Sequence, residues 1–158
     1  MIIDIKAASA QDYPLLQAIW SRSVLATHDF LKPEDYAEIK GALIPHYFPA
    51  VSLYKAIDRN TREILGFIGV LNGGVEMLFI DANARGKGVG RRLLDFAIHH
   101  LAATHLDVNE QNSQAVGFYQ HYACQQTHRS DVDSAGKPYP ILTMKLPKKI
   151  PSNGSSHE

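Results

Sequence analysis

LFIDANARGKGVGRRLL, residues 78–94, decides how this chain is read. An apolar strand around Leu78-Phe79-Ile80 runs into a short polar loop, then Arg85-Gly86-Lys87-Gly88-Val89-Gly90, then an amphipathic helix. Glycines at a strand-to-helix junction let backbone N–H groups converge on one point, and the helix N-terminus adds partial positive charge. Such a junction seats an anion, most often a phosphate. The competing reading is an ordinary helix start with solvated Arg and Lys side chains.

Working outward, Ile2, Ile3 and Ile5 predict a first strand, and Ser9 with Asp12 a capping box. Leu16, Ile19, Trp20 and Val24 then recur at helical spacing. Pro33 opens a second helix, which Pro45 and Pro49 are expected to end. Residues 53–58 and 64–71 read as strands joined by the turn Asp58-Arg59-Asn60-Thr61, and Asn72-Gly73-Gly74 turns into a strand over 75–80. After the glycine loop, Val89, Leu93, Leu94, Ala97, Ile98 and Leu101 share one helix face. A short strand follows at 106–108, then a helix capped by Asn112, then two strands around the turn at 133–137. The order predicts an α/β (mixed α+β) single domain: a mixed, mostly antiparallel sheet of about six or seven strands with helices on both faces. The domain is expected over residues 1–146, with a disordered polar tail over 147–158.

Bulk properties narrow the function classes. A chain of 158 residues, 45% hydrophobic and 20% charged, has the composition of an ordinary globular protein. It can bury ~70% of its unfolded surface. Lys+Arg 16 balance Asp+Glu 16, so nothing global favours nucleic acid or an anionic membrane. Positive charge is local, at Arg85, Lys87, Arg91 and Arg92. One cysteine, Cys124, excludes an internal disulfide and suits a reducing compartment. With neither a signal-like N-terminus nor an apolar run of ~20 residues, a cytoplasmic location is expected. His99, His100 and His105, or His121, Cys124 and His128, lack the spacing of a tetrahedral metal set, so surface histidines and no metal are expected.

Three phosphate loops compete at residues 85–90. A P-loop needs Gly-x-x-x-x-Gly-Lys-Ser/Thr, which is absent. A dinucleotide fingerprint needs Gly-x-Gly-x-x-Gly, whereas the glycines here are 86, 88 and 90. The pattern Arg/Gln-x-x-Gly-x-Gly/Ala is met position for position. A second run, VNEQNSQAVGFYQHY, carries Val108, Asn112, Ala115, Phe118 and Tyr119. On these two motifs, in this order and separation, the chain resembles the GNAT superfamily of N-acetyltransferases over most of residues 2–146. SVLATHDFL (23–31) and RSDVDSAGKPYPIL (129–142) look like its small bacterial YjaB-type members. One departure is local: Ala123-Cys124 stands where the family usually has Gly-Phe.

The resemblance implies acetyl-CoA as donor and a primary amine as acceptor, a protein lysine or a small molecule, attacking directly in a ternary complex. It implies a cofactor seat built from Arg85, Gly86, Lys87, Gly88, Val89, Gly90 and Arg91, with Asn112 and Tyr119 in the second motif. Gly88 and Gly90 keep side chains from holding the phosphate off the backbone. A backbone N–H at Phe79 or Ile80 would meet the thioester carbonyl. Tyr119 maps onto the general acid that protonates the departing thiolate, against the plainer reading of a core aromatic. An amine of pKa ~10 must lose a proton before attack. Glu76 is the first candidate base, on the expectation that partial burial raises its pKa; His28 stands in reserve. His28, Asp29 and Phe30 are expected to wall the acceptor pocket, with Tyr139, between two prolines, facing the same cleft. The acting unit is expected to be a monomer or homodimer. A non-catalytic acyl-CoA-binding sensor on the same fold, or a protein holding another nucleotide, are the competing classes.

Overall fold

Alternation, helical spacing and turn residues resolve, in a computed structural model that describes residues 1–148, into one mixed sheet with helices on either side. The elements are β1 (Ile3–Ala7), α1 (Tyr13–Thr27), α2 (Pro33–Ala42), β2 (Ser52–Asp58), β3 (Ile64–Leu71) and β4 (Gly74–Ile80). They continue as α3 (Val89–His100), β5 (His105–Asn109), α4 (Ser113–His121), β6 (Gln125–Ser130) and β7 (Ile141–Lys145). The expected seven-strand alternative is the one found, in the order β1-β2-β3-β4-β5-β7-β6. Of the tail expected from residue 147, all but its first two residues lies outside the described residues.

Two local expectations need correction. The Asp12 carboxylate accepts from the Ser9 N–H at 2.9 Å, but it closes a short 3-10 turn, Ala10–Asp12, ahead of α1 rather than α1 itself. Pro45 does not end the second helical stretch. Proline has no N–H to donate and its ring crowds the preceding turn. The chain responds by widening into one π-helical turn, Leu43–Tyr47, closed by Phe48 N–H on the Leu43 carbonyl at 2.8 Å.

The sheet's two faces carry separate cores. Leu16, Ile19, Trp20 and Val24 of α1 pack with Phe48, Leu53, Phe67 and Met77 on one side. Val89, Leu93, Leu94 and Ala97 of α3, with Tyr119 and Tyr122, pack on Ile68, Val70, Leu106 and Met144 on the other. Adjacent Phe67 and Ile68 thus serve opposite cores, as alternation along a strand buried on both faces requires.

The irregularity that matters lies at β4. Val75 pairs with Val70 and Met77 with Gly69, so Glu76 is the extra residue of a bulge. On its other edge β4 pairs in parallel with β5 only at Gly74–His105 and Val75–Leu106, although β4 runs on to Ile80 and β5 to Asn109. The two strands part just where the bulge bends β4.

After α4 the departure at Ala123-Cys124 has a physical account. Cys124 N–H bonds the Tyr119 carbonyl at 2.9 Å and Ala123 N–H the Gln120 carbonyl at 3.0 Å, a Schellman ending. That ending puts Ala123 at φ 80, where glycine has no steric penalty and an L-residue does. Cys124 fills the buried position beside it. Ala123→Gly is expected to raise stability by roughly 0.5–1 kcal/mol, the left-handed strain relieved less the extra freedom of an unfolded glycine. Thermal unfolding measures it; an unchanged or lower midpoint contradicts the strain at Ala123.

Candidate active site

A cleft of about 520 Å³ runs from the glycine loop, between β4 and α4, toward the end of α1. Gly86 and Gly88 hold positive φ of 76 and 80, and Gly88 is the N-cap of α3. The first amides of α3 have no carbonyl one turn earlier to bond, so they face the cleft as donors. Gly90 carries a second constraint: a Cβ there would stand 3.3 Å from the Phe118 ring, close enough that the ring would have to give.

The charged residues of the loop divide. Arg85 and Arg91 line the cleft, whereas Lys87 is exposed and lies outside its wall. Arg85 donates to the Gln114 side chain. Arg91 is buried, with its guanidinium 5.0 Å over the Tyr122 ring, and Tyr122 donates to the Asp95 carboxylate. Asn112 lines the cleft and caps α4, its Oδ1 accepting from Ala115 N–H at 3.2 Å. Its sequence-visible role is therefore partly structural.

The open edge of β4 distinguishes two amides that the sequence left equivalent. Asp81 N–H donates to the Leu65 carbonyl of β3 at 2.8 Å. In an antiparallel ladder alternate residues turn both main-chain groups to the same neighbour. Phe79 therefore turns its N–H to β3, and Leu78 and Ile80 turn theirs toward the gap left by β5. Tyr119 enters the same cleft from α4; it is buried, and desolvation holds its hydroxyl protonated far above neutral pH.

A second cavity, about 730 Å³, opens on the other side of this gap. His28, Phe30, Glu76 and Tyr139 line it, with Asp107 contributing a further carboxylate; Asp29 is exposed and lies outside both cavities. Among the described residues, His28 and Phe79 alone border both. The partial burial expected of Glu76 is not found: the bulge turns its side chain into solvent at the rim. Burial does act on His28, where desolvation outweighs the nearby Asp29 and lowers its pKa.

Tyr139 is buried with its ring edge-on to Phe30, but its hydroxyl is not free for a ligand. It donates to Asp35 and accepts from Lys32 N–H at 3.1 Å. Lys137 reaches the other Asp35 oxygen at 2.6 Å and also pairs with Glu38. Asp35 on α2 thereby ties down the β6–β7 loop over the acceptor side. A second tie, also invisible from sequence spacing, joins α1 to the end of β4: Arg22 grips the buried Asp81 with two bonds, at 3.0 and 2.8 Å. Neither carboxylate has its cationic partner within helical or strand spacing, so spacing carried no signal for either pair.

Among the described residues no three His, Cys, Asp or Glu are grouped to hold a metal ion, and no helix is long and apolar enough to cross a membrane. His99, His100, His105, His121 and His128 are all exposed.

Comparison with known proteins gives four findings. A family model described as acetyltransferase (GNAT) domain matches residues 49–140. The chain is 40% identical over 147 residues to the peptidyl-lysine N-acetyltransferase YjaB of Salmonella typhimurium, covering 93% of this chain and 100% of that protein. The solution structure of apo-form YjaB from Escherichia coli superposes with a TM-score of 0.84 at 39% identity, over 92% of this chain and 98% of that one. The PaiA N-acetyltransferase of Thermoplasma acidophilum, solved in complex with coenzyme A, shares the fold at TM-score 0.67 and 20% identity, covering 92% and 100%.

Cys124, beside these motifs, is buried and its thiol pKa is pushed up to about 12. At pH 8 its thiolate fraction is then on the order of 10³ below that of a free cysteine. A thiol-disulfide reagent is expected to leave native protein unlabelled and to titrate one thiol in denaturant. Rapid labelling without denaturant would show the sulfur to be accessible and activated.

Proposed function

The chain belongs to the GNAT acetyltransferase family, and on that premise we propose that it acetylates lysine side chains presented on polypeptides. Acetyl transfer from acetyl-CoA to an amine is the activity of the family fold; the polypeptide acceptor is the finer reading. What supports the reading is a single juxtaposition: two cavities meeting at the open edge of β4, one floored by helix-terminal amides and one carrying the carboxylates of Glu76 and Asp107 in its wall. Exposed apolar residues rim the second cavity, Tyr47 at 47%, Leu71 at 41% and Val132 at 42% exposure. A free small amine would leave that rim wet, whereas residues flanking a lysine in a chain would cover it. The YjaB relative is named for peptidyl-lysine acetylation, which points the same way.

Residues 1–146 would form the acetyl-CoA-binding unit. The cradle fits a diphosphate: Gly86 and Gly88 bring backbone close, and Arg85 and Arg91 stand at its wall. Lys87 would contribute only at long range. When bound, acetyl-CoA supplies the thioester that the amine attacks. Ile80 N–H would donate where negative charge grows on the carbonyl oxygen. Val89, its side chain buried under the loop, would offer the cleft only its helix-start amide, and Phe79 shapes the cleft with its ring while its N–H turns to β3. Tyr119, kept protonated by burial, would give its proton to the departing sulfur. Glu76 and Asp107 would draw the acceptor's ammonium into the second cavity before the proton is lost. A cytoplasmic location agrees with a single cysteine.

Three outcomes check this. A lysine-containing peptide is expected to be acetylated with a higher kcat/KM than spermidine or free amino acids, measured by thiol release; preference for a small amine overturns the polypeptide reading. Tyr119→Phe is expected to lower kcat by about 10²-fold or more while leaving the acetyl-CoA KM near wild type. Gly88→Asn keeps a residue that tolerates positive φ yet adds a side chain in the cradle. Its acetyl-CoA KM should rise about tenfold or more, the loss of one charge-assisted hydrogen bond, with the unfolding midpoint little changed. An unaltered KM would remove the loop from binding.

A further inference from the structure

The end of α1 carries an arrangement that the two motifs do not account for. Thr27 Oγ1 donates to the Ser23 carbonyl one turn back at 2.8 Å. The same oxygen lies 2.6 Å from His28 Nδ1. A hydroxyl has one hydrogen, and for both contacts to be hydrogen bonds it must go to the carbonyl, which can only accept. Toward the imidazole, then, Oγ1 presents a lone pair, and Nδ1 must carry the proton. We infer that Thr27 fixes His28 as the Nδ1–H tautomer and so leaves Nε2, with its lone pair, as the atom that takes the acceptor's proton.

This rests on the proposed acetyl transfer and names its base. His28 is placed for the role by its position bordering both cavities, where the acceptor nitrogen must pass to reach the open edge of β4. Its main chain is pinned as the C-cap of α1, N–H to the Val24 carbonyl at 2.7 Å, and its ring packs against Phe30 at 5.1 Å between centroids. Held by backbone, Phe30 and Thr27, the ring keeps little rotational freedom. Desolvation lowers its pKa, which keeps the imidazole neutral and able to accept at neutral pH. Glu76, exposed at the rim, lines the second cavity alone.

The step balances. The acceptor ammonium gives one proton to Nε2, making an imidazolium with protons on both nitrogens. The freed lone pair forms the C–N bond as the C–S bond breaks, and the sulfur takes the Tyr119 proton. The second proton lost by nitrogen replaces the one that Tyr119 gave, and the imidazolium returns its proton to solvent. Thr27 is a positioning residue in this scheme, because it acts on the substrate only through His28.

Long-range 1H–15N NMR on the full chain reads the tautomer directly, with His28→Gln assigning the signal. At neutral pH His28 should show a protonated Nδ1 and a pyridine-like Nε2. Thr27→Val, close in shape but without the hydroxyl, should shift the signal toward the Nε2–H form. It should lower kcat about tenfold with the acetyl-CoA KM unchanged, and Thr27→Ser should restore both readouts. His28→Gln should lose kcat to a similar or greater degree. An Nε2–H tautomer in the wild-type protein, or wild-type kcat in His28→Gln, overturns the inference. Absence of acetylation with every amine would instead strike the proposed function, while the NMR result would still judge the tautomer.

Discussion

Everything in this molecule that bears on catalysis depends on a sheet that stops pairing in its own middle. Parallel pairing between β4 and β5 ends at Val75 and Leu106, one residue before the bulge at Glu76. Beyond it, the main-chain groups of Leu78 and Ile80 face away from β3 with no strand to receive them. Buried or half-buried amides left in this way need a polar partner, and an extended ligand laid along the edge supplies one. The cleft, the approach of α4 and the meeting of two cavities follow from that divergence.

A divided sheet would be loose if only the strands held it. Two ion-paired ties brace the opening instead. Arg22 to Asp81 fixes α1 against the exit of β4, and Asp35 holds Tyr139 and Lys137 so that the β6–β7 loop stays over the acceptor side. The Arg22–Asp81 pair, with one exposed partner, contributes little to stability, about 1 kcal/mol or less. The value of both ties is positional: each fixes a cavity wall relative to β4. The separate cores on the two faces do the rest, since neither α1 nor α3 can shift without exposing its own apolar stripe.

Residue identity and residue role come apart at several points. Gly88 and Gly90 look alike in the loop, yet Gly88 holds a left-handed backbone and Gly90 lies close against the Phe118 ring. Arg91 and Lys87 carry the same charge, but one is stacked beneath the loop on Tyr122 and the other is solvated away from it. Glu76 and His28 were both candidate bases. Bulge geometry exposes the first, and the second is half-buried at the end of α1. In each case spacing identified the neighbourhood and packing assigned the part.

From sequence alone, the alternation of strands, the helical stripes of α1 and α3 and the glycine-loop junction were legible, because local backbone chemistry sets them. So was the Asn112 cap, through its offset to Ala115 within one helix, whereas Tyr119 was singled out only by the family resemblance. What only the folded chain decided were relations between segments distant in sequence. These include which β4 amide faces the gap, which loop charge lines the cleft, the Arg22–Asp81 and Asp35 ties, and the meeting of both cavities at His28. Short-range periodicity encodes the direction of a side chain from its own helix or strand. It does not encode what another element, dozens of residues away, brings within hydrogen-bonding distance, and that distance is what assigns chemistry here.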